Sequence, residues 1–356
     1  MKFLFALCFI FCFTQTHHAQ RSNYELVWSD EFDYNGAVDP EKWHHQTQLP
    51  NGQSWYNGEI QHYTDRIENA FVSEGTLKVM AKRETYTNQG VTKDFTSARL
   101  NSKFSFTYGK IITKAKLPFG LGTWPAIWML GKNIIEPGGY FSSTYGTTYW
   151  PACGEVDIME HWGNNQNYIS SAIHTPSSYG GTVNVAGRYV SDVSNEFHEY
   201  TLEWDEQRMV FSVDNIVHYI YQPGTQNMET WPFDADQYML FNVALLPEII
   251  STNFTEDAME VDYIRIYQNN LGTGALEDPT AKPWHPNPTL DNITLVDATD
   301  YVGGSARIYA IDGTLMQSFK VSEAFINLDM TPYSSGLYYI VLQFQQYYNT
   351  SKVIKL

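Results

Sequence analysis

The sequence is poor in cysteine. It contains 3 cysteines in 356 residues, and two of them, Cys8 and Cys12, lie in an apolar segment near the N-terminus. If export removes that segment, Cys153 remains by itself, which excludes an internal disulfide. Stability must then come from a hydrophobic core or from a bound metal. We expect Cys153 to be a packed thiol without a redox role.

Basic side chains are also scarce. The 22 Lys and Arg residues face 39 Asp and Glu residues, which gives a formal net charge of −17, and no basic run occurs. A surface that binds phosphates needs clustered Lys and Arg. The composition therefore excludes nucleic acid as an expected partner, and it disfavours other anionic polymers less strongly.

Long apolar runs are missing outside residues 3–13. This run follows Lys2 and precedes a polar stretch that ends in Ala19, a pattern typical of a secretory signal peptide over residues 1–19. The run is too short to span a bilayer, and no lipobox-like sequence predicts a lipid anchor. We expect a secreted or cell-surface protein that is exported through the periplasm.

Apolar stripes of helical period are absent, whereas period-two alternation recurs, as in residues 77–82 and 200–205. Short alternating segments with turn signals between them predict an all-β sandwich over residues 24–268. Residues 269–288 have the composition of a linker. Residues 289–356 predict a small C-terminal β-sandwich, with a hairpin turn at Asp312-Gly313.

The segment WPACGEVDIMEHWG, residues 150–163, carries three carboxylates on what otherwise reads as a buried strand. On a regular strand Glu155 and Asp157 share one face and Glu160 points to the other, where it would be buried in the core. An unpaired buried carboxylate costs several kcal/mol. One extra residue near Ile158-Met159 would form a β-bulge and return Glu160 to the face of the other two acids.

Three carboxylates on one face repel one another, which raises at least one pKa and can keep one group protonated near neutral pH. Glycoside hydrolysis needs such a pair, one carboxylate and one carboxylic acid. The spacing by itself leaves two alternatives open. The strand could bind calcium, or its acids could simply be solvated.

The sequence around this segment resembles that of the laminarinase-like members of glycoside hydrolase family 16. The resemblance extends from LVWSDEF to VDYIRIYQ and includes NGEIQHYT, TSARL, GTWPAIWMLG and GEVDIMEHWG in order. It implies a concanavalin-like β-jelly-roll fold. It also implies that Glu155 is the nucleophile, that Asp157 assists it and that Glu160 is the acid/base. The bulged strand is the form that the family shows with this spacing.

Other residues gain a function from the same resemblance. Core packing explains a lone Trp, a surface ion pair explains an Arg, and a turn explains an Asn before Gly, but the family places the matching residues in its cleft. The implied substrate-binding residues are Asn57, Arg99, Trp124, Trp128, His174 and Trp231.

A structural calcium ion is also implied. Solvated sheet edges explain Glu31 and Asp262 equally well, but the family binds calcium with the matching acids and a backbone carbonyl near Gly75. Such hard oxygen ligands suit calcium. No cofactor is expected for catalysis.

Two segments depart from the family pattern. Residues 242–250 read NVALLPEII where many members have a glycine-rich NVAVGG segment, so the acceptor-side loop differs and inferences about substrate detail weaken. Residues 136–149, EPGGYFSSTYGTTY, are longer than the usual link and rich in Tyr. We expect this insertion to shape or cover one end of the cleft.

The C-terminal unit resembles the sorting domain of the type IX secretion system. The segments that carry this resemblance are PNPTLDNITL, SSGLYYIVLQF and the final SKVIKL. A carbohydrate-binding accessory domain is the alternative. If the unit is a sorting domain, its partner is the type IX secretion machinery and it takes no part in catalysis. Whether this domain is removed during export or anchors the enzyme stays open.

The overall prediction is a secreted, retaining endo-β-glucanase that acts on β-1,3 or mixed β-1,3/1,4 glucan polysaccharides as a monomer. The alternatives are a catalytically silent glucan-binding lectin on the same fold, and a galactan hydrolase or transglycosylase of the same family.

Overall fold

The computed structural model describes residues 24–269, 284–295, 297–311, 314–344 and 347–356. The predicted signal peptide, most of the predicted linker and the Asp312-Gly313 turn lie outside the described residues. The chain divides into two compact units between Asn270 and Leu271. No helix among the described residues is both long enough and apolar enough to cross a bilayer.

The first unit is built from strands, with one short α-helix, α1 (Ser142–Tyr145), and a 3-10 turn at Tyr56–Gly58. Its strands are β1 (Tyr24–Asp30), β2 (Gly36–Ala37), β3 (Trp43–His45), β4 (His62–Tyr63), β5 (Ala70–Ser73), β6 (Thr76–Asn88), β7 (Val91–Ser97), β8 (Arg99–Phe106), β9 (Gly109–Lys116), β10 (Thr123–Gly131), β11 (Glu155–His161), β12 (Tyr168–His174), β13 (Val185–Tyr189), β14 (His198–Trp204), β15 (Met209–Val213), β16 (Ile216–Tyr221), β17 (Gln237–Leu245) and β18 (Glu256–Asn269).

These strands form two sheets. The larger has 11 strands, eight of them in the order β16-β15-β14-β9-β18-β6-β5-β2. Of the other three, β1 pairs with β18, β7 pairs with β6, and β4 pairs with β7. The smaller has 7 strands in the order β13-β12-β11-β10-β17-β8-β3. All pairings are antiparallel except β4 with β7. One hydrophobic core takes side chains from both sheets, so the unit is the predicted β-jelly-roll sandwich.

The period-two pattern of the sequence appears directly as burial. Along β9 buried and half-buried residues alternate, with Ile111, Thr113 and Ala115 directed into the core. The central strand β17 is buried at every position, because one face meets the core and the other lies beneath a cleft. The last strand ends at Asn269, one residue beyond the predicted boundary.

The second unit is a smaller all-β body with its own core and a 3-10 turn at Thr299–Tyr301. Trp284 and His285 already belong to it, because Trp284 is buried in that core and His285 pairs with Thr294. This unit therefore begins before the predicted residue 289. Its strands are β19 (Asn292–Leu295), β20 (Ser305–Ala310), β21 (Leu315–Lys320), β22 (Ile326–Asp329), β23 (Gly336–Phe344) and β24 (Tyr347–Lys355).

Candidate active site

Strand β11 contains the predicted β-bulge. On one side, Met159 and Asp157 pair with consecutive residues of β10, so Ile158 is skipped. On the other side, Asp157 pairs with Ala172 and Glu160 pairs with Ser170, so two residues of β11 oppose Ser171. The extra residue shifts the phase of the strand and brings Glu160 to the face of Glu155 and Asp157. Both Ile158 and Met159 point into the core.

All three carboxylates line one cleft of about 400 Å³ on the smaller sheet. Its rim is open to solvent, since Tyr149 and Trp150 are 70% and 40% exposed. The side chains that line the cleft are Tyr56, Asn57, Glu59, Arg99, Trp124, Ala126, Trp128, Leu130, Ile134, Ile135, Glu136, Tyr149, Trp150, Glu155, Asp157, Glu160, Asn242 and Ala244.

Glu155 accepts a hydrogen bond from the indole of Trp150, with 3.1 Å between Nε1 and Oε2. Its other oxygen lies 3.6 Å from Nε2 of His174. Both neighbours favour the ionised carboxylate of Glu155. Trp150 was not singled out from the sequence, although it stands five residues before Glu155 in the acidic segment.

Asp157 lies between the other two acids and is nearly fully buried. Its Oδ2 is 3.1 Å from Nε2 of His174, but no described group offers this oxygen a well-aligned hydrogen bond. The structure thus places His174 beside the acidic strand, where its ring lies near two of the three acids.

Glu160 accepts a hydrogen bond of 2.9 Å from Nε1 of Trp124. The ring of Trp124 stacks on Trp162, with ring centroids 5.4 Å apart. Trp124 therefore has two roles in the cleft. Its ring lines the cleft, and its N–H holds Glu160 at a fixed position.

Burial raises the pKa of all three acids, and repulsion from neighbouring acids adds to the rise for Glu155 and Glu160. Burial raises the pKa of Asp157 to about 8. Burial and the neighbouring Asp157 raise the pKa of Glu160 to about 8, and the Trp124 hydrogen bond opposes this shift. Burial and the adjacent acids also raise the pKa of Glu155, whereas His174 acts in the opposite direction. The cluster therefore keeps protons at neutral pH, as the spacing predicts.

Arg99 is held in the cleft by a buried ion pair. Its Nη2 donates to Oε1 of Glu136 at 2.7 Å, and both side chains are only 4% exposed. Its Nε donates to Gln46 at 2.9 Å. The guanidinium lies 4.6 Å above the ring centre of Trp128. The insertion at residues 136–149 thus supplies the partner of Arg99, and its last residue, Tyr149, lines the cleft.

A directional chain of hydrogen bonds fixes the other side of the cleft. Trp128 donates from Nε1 to Oδ1 of Asn242 at 2.7 Å. Asn242 then donates to the hydroxyl of Tyr63, and Tyr63 donates to Glu59 at 2.8 Å. Because indole is only a donor, Trp128 fixes the Asn242 oxygen toward itself and so directs the Asn242 amide group toward Tyr63. Burial raises the pKa of Glu59.

Asn57 also lines the cleft, at the centre of the 3-10 turn. Its φ of 56° is in the left-handed region that Asn tolerates better than most residues. The turn explanation and the cleft explanation of Asn57 therefore both hold. Residues 242–245 belong to β17, and the departing loop begins at Leu246, whose N–H donates to Gly122.

Trp231 requires a correction. The resemblance implies that it lines the acceptor side, but its indole is only 2% exposed and packs in the core against Tyr221 and Phe233. Its Nε1 donates to Asp234 at 3.1 Å. A buried ring offers no face to a ligand, so Trp231 does not line the cleft.

The predicted calcium ligands are already paired with cations. Glu31 accepts two hydrogen bonds from Arg265, at 3.0 and 2.7 Å. Asp262 lies 2.8 Å from Nζ of Lys114. Gly75 occupies a turn with φ 75°. Because a calcium ion would have to displace both cations, the donor set as arranged fits the ion poorly.

Within the described residues, one group of three acidic or His side chains has donor atoms close enough to hold a metal, namely Glu155, Asp157 and His174. Their contacts with one another explain the closeness. Cys153 is buried and unpaired, and burial raises the pKa of its thiol to about 12. A neutral, enclosed thiol agrees with the expected packing role.

Sequence reasoning missed several cleft residues, chiefly Trp150, Glu136, Glu59 and Asn242. Each stands inside a segment that the sequence already marked. What the sequence lacked was any sign of which side chains in those segments share one cavity, because their strands are far apart in the chain.

Comparison with known protein families gives two matches. Residues 59–265 match the model of "Glycosyl hydrolases family 16". Residues 284–356 match the model of a "Secretion system C-terminal sorting domain". Together the two models span most of the described chain.

Curated relatives and a solved structure agree with the first match. A β-glucanase of Rhodothermus marinus is 37% identical over 69% of this chain and 86% of its own length. A glucan endo-1,3-β-glucosidase A1 of Niallia circulans is 31% identical over 68% of this chain, but the match spans only 38% of that longer protein.

A keratan-sulfate endo-1,4-β-galactosidase of Sphingobacterium multivorum is 31% identical over 74% of this chain and 60% of its own length. The crystal structure of LamAcat from Zobellia galactanivorans has 48% sequence identity and a TM-score of 0.64, over 68% of this chain and 97% of that one.

Proposed function

Because the chain belongs to glycoside hydrolase family 16, we propose that it is a secreted, retaining endo-β-glucanase with Glu155 as nucleophile and Glu160 as acid/base. The observation that carries this proposal is the bulge at Ile158, which places both glutamates and Asp157 on the cleft face. The proposed substrates are β-1,3 or mixed β-1,3/1,4 glucans, and the names of the glucanase relatives support glucan as the substrate class.

In the first half-reaction, an oxygen of Glu155 attacks the anomeric carbon and forms a glycosyl ester. The bond from that carbon to the bridging oxygen breaks, and Glu160 gives its proton to this leaving oxygen. Glu160 must therefore begin protonated, which its raised pKa favours at neutral pH. Glu155 must begin ionised. Burial and the adjacent acids raise its pKa, and the Trp150 N–H and His174 oppose that rise.

In the second half-reaction, the ionised Glu160 takes a proton from water as the water oxygen attacks the same carbon. The ester bond to Glu155 breaks, and the carboxylate is regenerated. Two inversions give net retention. Asp157 and His174 lie close enough to share protons and charge with Glu155 in both steps.

The rest of the cleft binds the glucan chain. Trp124 and Trp128 offer rings to sugar faces, Arg99 offers guanidinium donors, and Asn57 offers a side-chain amide. The open rim at Tyr149 and Trp150 supports internal cleavage, because a chain bound in mid-length must leave the cleft at both ends.

Two alternatives make different predictions. A glucan-binding lectin would have no use for three buried acids that repel one another, and their cost in stability argues against it. A galactan hydrolase or transglycosylase would keep the same acids. The Sphingobacterium relative is named as an endo-1,4-β-galactosidase, so cleavage of galactosyl bonds occurs in a protein of similar sequence identity.

The experiment uses the purified protein and Glu155→Gln. We expect the wild type to shorten laminarin to oligosaccharides and Glu155→Gln to lose orders of magnitude in turnover while it still binds laminarin. Parallel digestion of lichenan, barley glucan and agar identifies the linkage. Equal turnover by the two proteins would overturn the mechanism, and activity on agar alone would establish the galactan alternative.

The C-terminal unit is a sorting domain for export to the outside of the cell. We propose that the type IX machinery recognises it, after passage of the protein through the periplasm. The cleft residues all belong to the first unit, so we expect deletion of residues 284–356 to abolish export and leave turnover of the catalytic unit unchanged.

Catalysis needs no cofactor, since the side chains described above supply the nucleophile and the proton. We propose that Glu31, Asp262 and the Gly75 carbonyl bind calcium only weakly, because Arg265 and Lys114 already neutralise the two acids.

A further inference from the structure

The bulge in β11 creates a problem that a regular strand does not have. Ile158 pairs with no residue of β10 or β12, and it is nearly fully buried. A buried carbonyl that finds no donor destabilises the fold. Regular pairing of β11 would give the Ile158 carbonyl a backbone donor, but Glu160 would then point away from the cleft.

Ser171 supplies the missing donor. This residue stands opposite the bulge on β12, faces the core and is fully buried. Its Oγ donates to the carbonyl of Ile158 at 2.7 Å. Because a hydroxyl has a single proton, this bond leaves Ser171 as an acceptor for any further partner.

That partner is His218, whose Nε2 lies 2.9 Å from Oγ of Ser171. Nε2 must therefore carry the proton, which leaves Nδ1 bare, and no described group donates to Nδ1. Burial and the nearby Arg188 lower the pKa of His218 to about 4, so the ring is neutral in this bond over the working pH range.

His218 belongs to the other sheet, and it reaches Ser171 through a second bulge. Along β16, Tyr219 and Val217 pair with consecutive residues of β15, so His218 is the skipped residue. Bulges re-aim a side chain, and this one directs an imidazole toward the core side of β12. Two bulges on opposite sheets are thus joined through one serine.

We propose that Ser171 and His218 are positioning residues for the acid/base, which hold the bulge at Ile158 and so keep Glu160 in the cleft. They touch neither substrate nor reacting atoms and act through the backbone of β11. This inference rests on the proposed function of Glu160.

The chain offers a matched control in Ser102. This serine is also fully buried beside a register shift, between β8 and β17. Its Oγ donates to the carbonyl of Phe104 at 2.7 Å and accepts from the N–H of Met239 at 3.0 Å. Ser102→Ala therefore removes a similar bulge contact that does not involve β11.

The experiment compares Ser171→Ala, Ser171→Thr, His218→Leu and Ser102→Ala for melting temperature, kcat and KM on laminarin. A small displacement of a catalytic group costs about tenfold or more in rate. We expect Ser171→Ala and His218→Leu to lose about tenfold or more in kcat with KM nearly unchanged. Ser171→Thr keeps the hydroxyl and should recover most of the rate. Ser102→Ala should lose stability but keep kcat.

A purely structural role predicts the same kcat in Ser171→Ala as in Ser102→Ala, and that result would overturn the inference. A crystal structure of Ser171→Ala provides a readout that does not depend on activity. We expect it to show regular pairing of β11 or a displaced Glu160. An unchanged bulge with Glu160 in place would overturn the inference. If Ser171→Ala does not fold, His218→Leu decides by the same measurements. Failure of the wild type on every glucan refutes the proposed function instead, and the crystal structure still tests the inference.

Discussion

Nε1 of Trp124 lies 2.9 Å from Oε1 of Glu160, and the same indole stacks on Trp162. One side chain thus links the lining of the cleft to the protonation of Glu160. An N–H donor favours the ionised carboxylate, so this bond partly offsets the rise in the pKa of Glu160 that burial causes.

We expect Trp124→Phe to move the basic limb of the pH–rate profile to higher pH. The substitution keeps an aromatic ring but removes the donor, so the pKa of Glu160 rises further and the acid stays protonated longer. The shift should be about one pH unit or less, because two or three N–H bonds together lower the pKa of a carboxylate by about two pH units. The measurement is kcat/KM on laminarin across pH.

Trp128→Phe is the control for this experiment. Its indole also donates, but to Asn242 and not to a carboxylate. It should weaken binding and leave the basic limb in place. An equal shift in both variants would show that the limb does not report Glu160.

Glu160→Gln should stabilise the fold at alkaline pH. The pKa of Glu160 is about 8 in the folded protein against an ordinary value of 4.5, so between these values the folded state binds more protons than the unfolded chain. Stability then falls as pH rises through that window. Removal of the carboxyl group should raise the free energy of unfolding near pH 8 and have little effect near pH 4.

Urea unfolding at both pH values measures this difference. Glu256→Gln serves as the control, since Glu256 is 53% exposed in its pair with Lys82. A Glu160→Gln variant with the same pH dependence as the wild type would contradict the raised pKa.

Glu136→Ala should weaken both the fold and the binding of substrate. It leaves the guanidinium of Arg99 buried without its charge partner, and loss of one member of a buried pair costs about 3–5 kcal/mol. Arg99 should also lose its fixed direction in the cleft, which raises KM for laminarin. An exposed pair is worth about 0–1 kcal/mol, so Glu256→Ala should change neither quantity. A small effect of Glu136→Ala on urea unfolding would disprove the assigned role.

Chelation should leave the melting temperature unchanged. Glu31 and Asp262 have cationic partners from the protein itself, so loss of divalent ions uncovers no repulsion. Excess calcium should raise the melting temperature only slightly, by mass action at a weak site, and not at all in Asp262→Asn. A marked loss of stability in EDTA would show a tight calcium site.

The two-sheet sandwich and the identity of the three acids could both be predicted from the sequence. Strand alternation is a local property, and burial of a charge carries a large cost. The position of Glu160 on the wrong face of a regular strand was therefore enough to predict a bulge near Ile158-Met159, and the structure has it at Ile158. The resemblance to a family placed Trp124, Trp128, Arg99 and Asn57 in the cleft, and the structure has these four side chains in its lining. His174 is not part of that lining and instead contacts Glu155 and Asp157 from the neighbouring strand.

Contacts between side chains that are far apart in the sequence could not be predicted in this way. Trp231 has a family counterpart and a plausible sequence context, yet Tyr221 and Phe233 bury it. Nothing in the order of residues shows which of many aromatic side chains find space at the surface and which fill the core.

By itself, therefore, the sequence determined the all-β class, the acidic strand and the need for a bulge, because these follow from alternation and from the cost of a buried charge. Only the tertiary structure decided what secures that bulge. Ser171 and His218 are 47 residues apart in sequence, and the Arg99–Glu136 pair joins two segments 37 residues apart. Such contacts depend on the pairing and stacking of whole sheets, which no local pattern encodes.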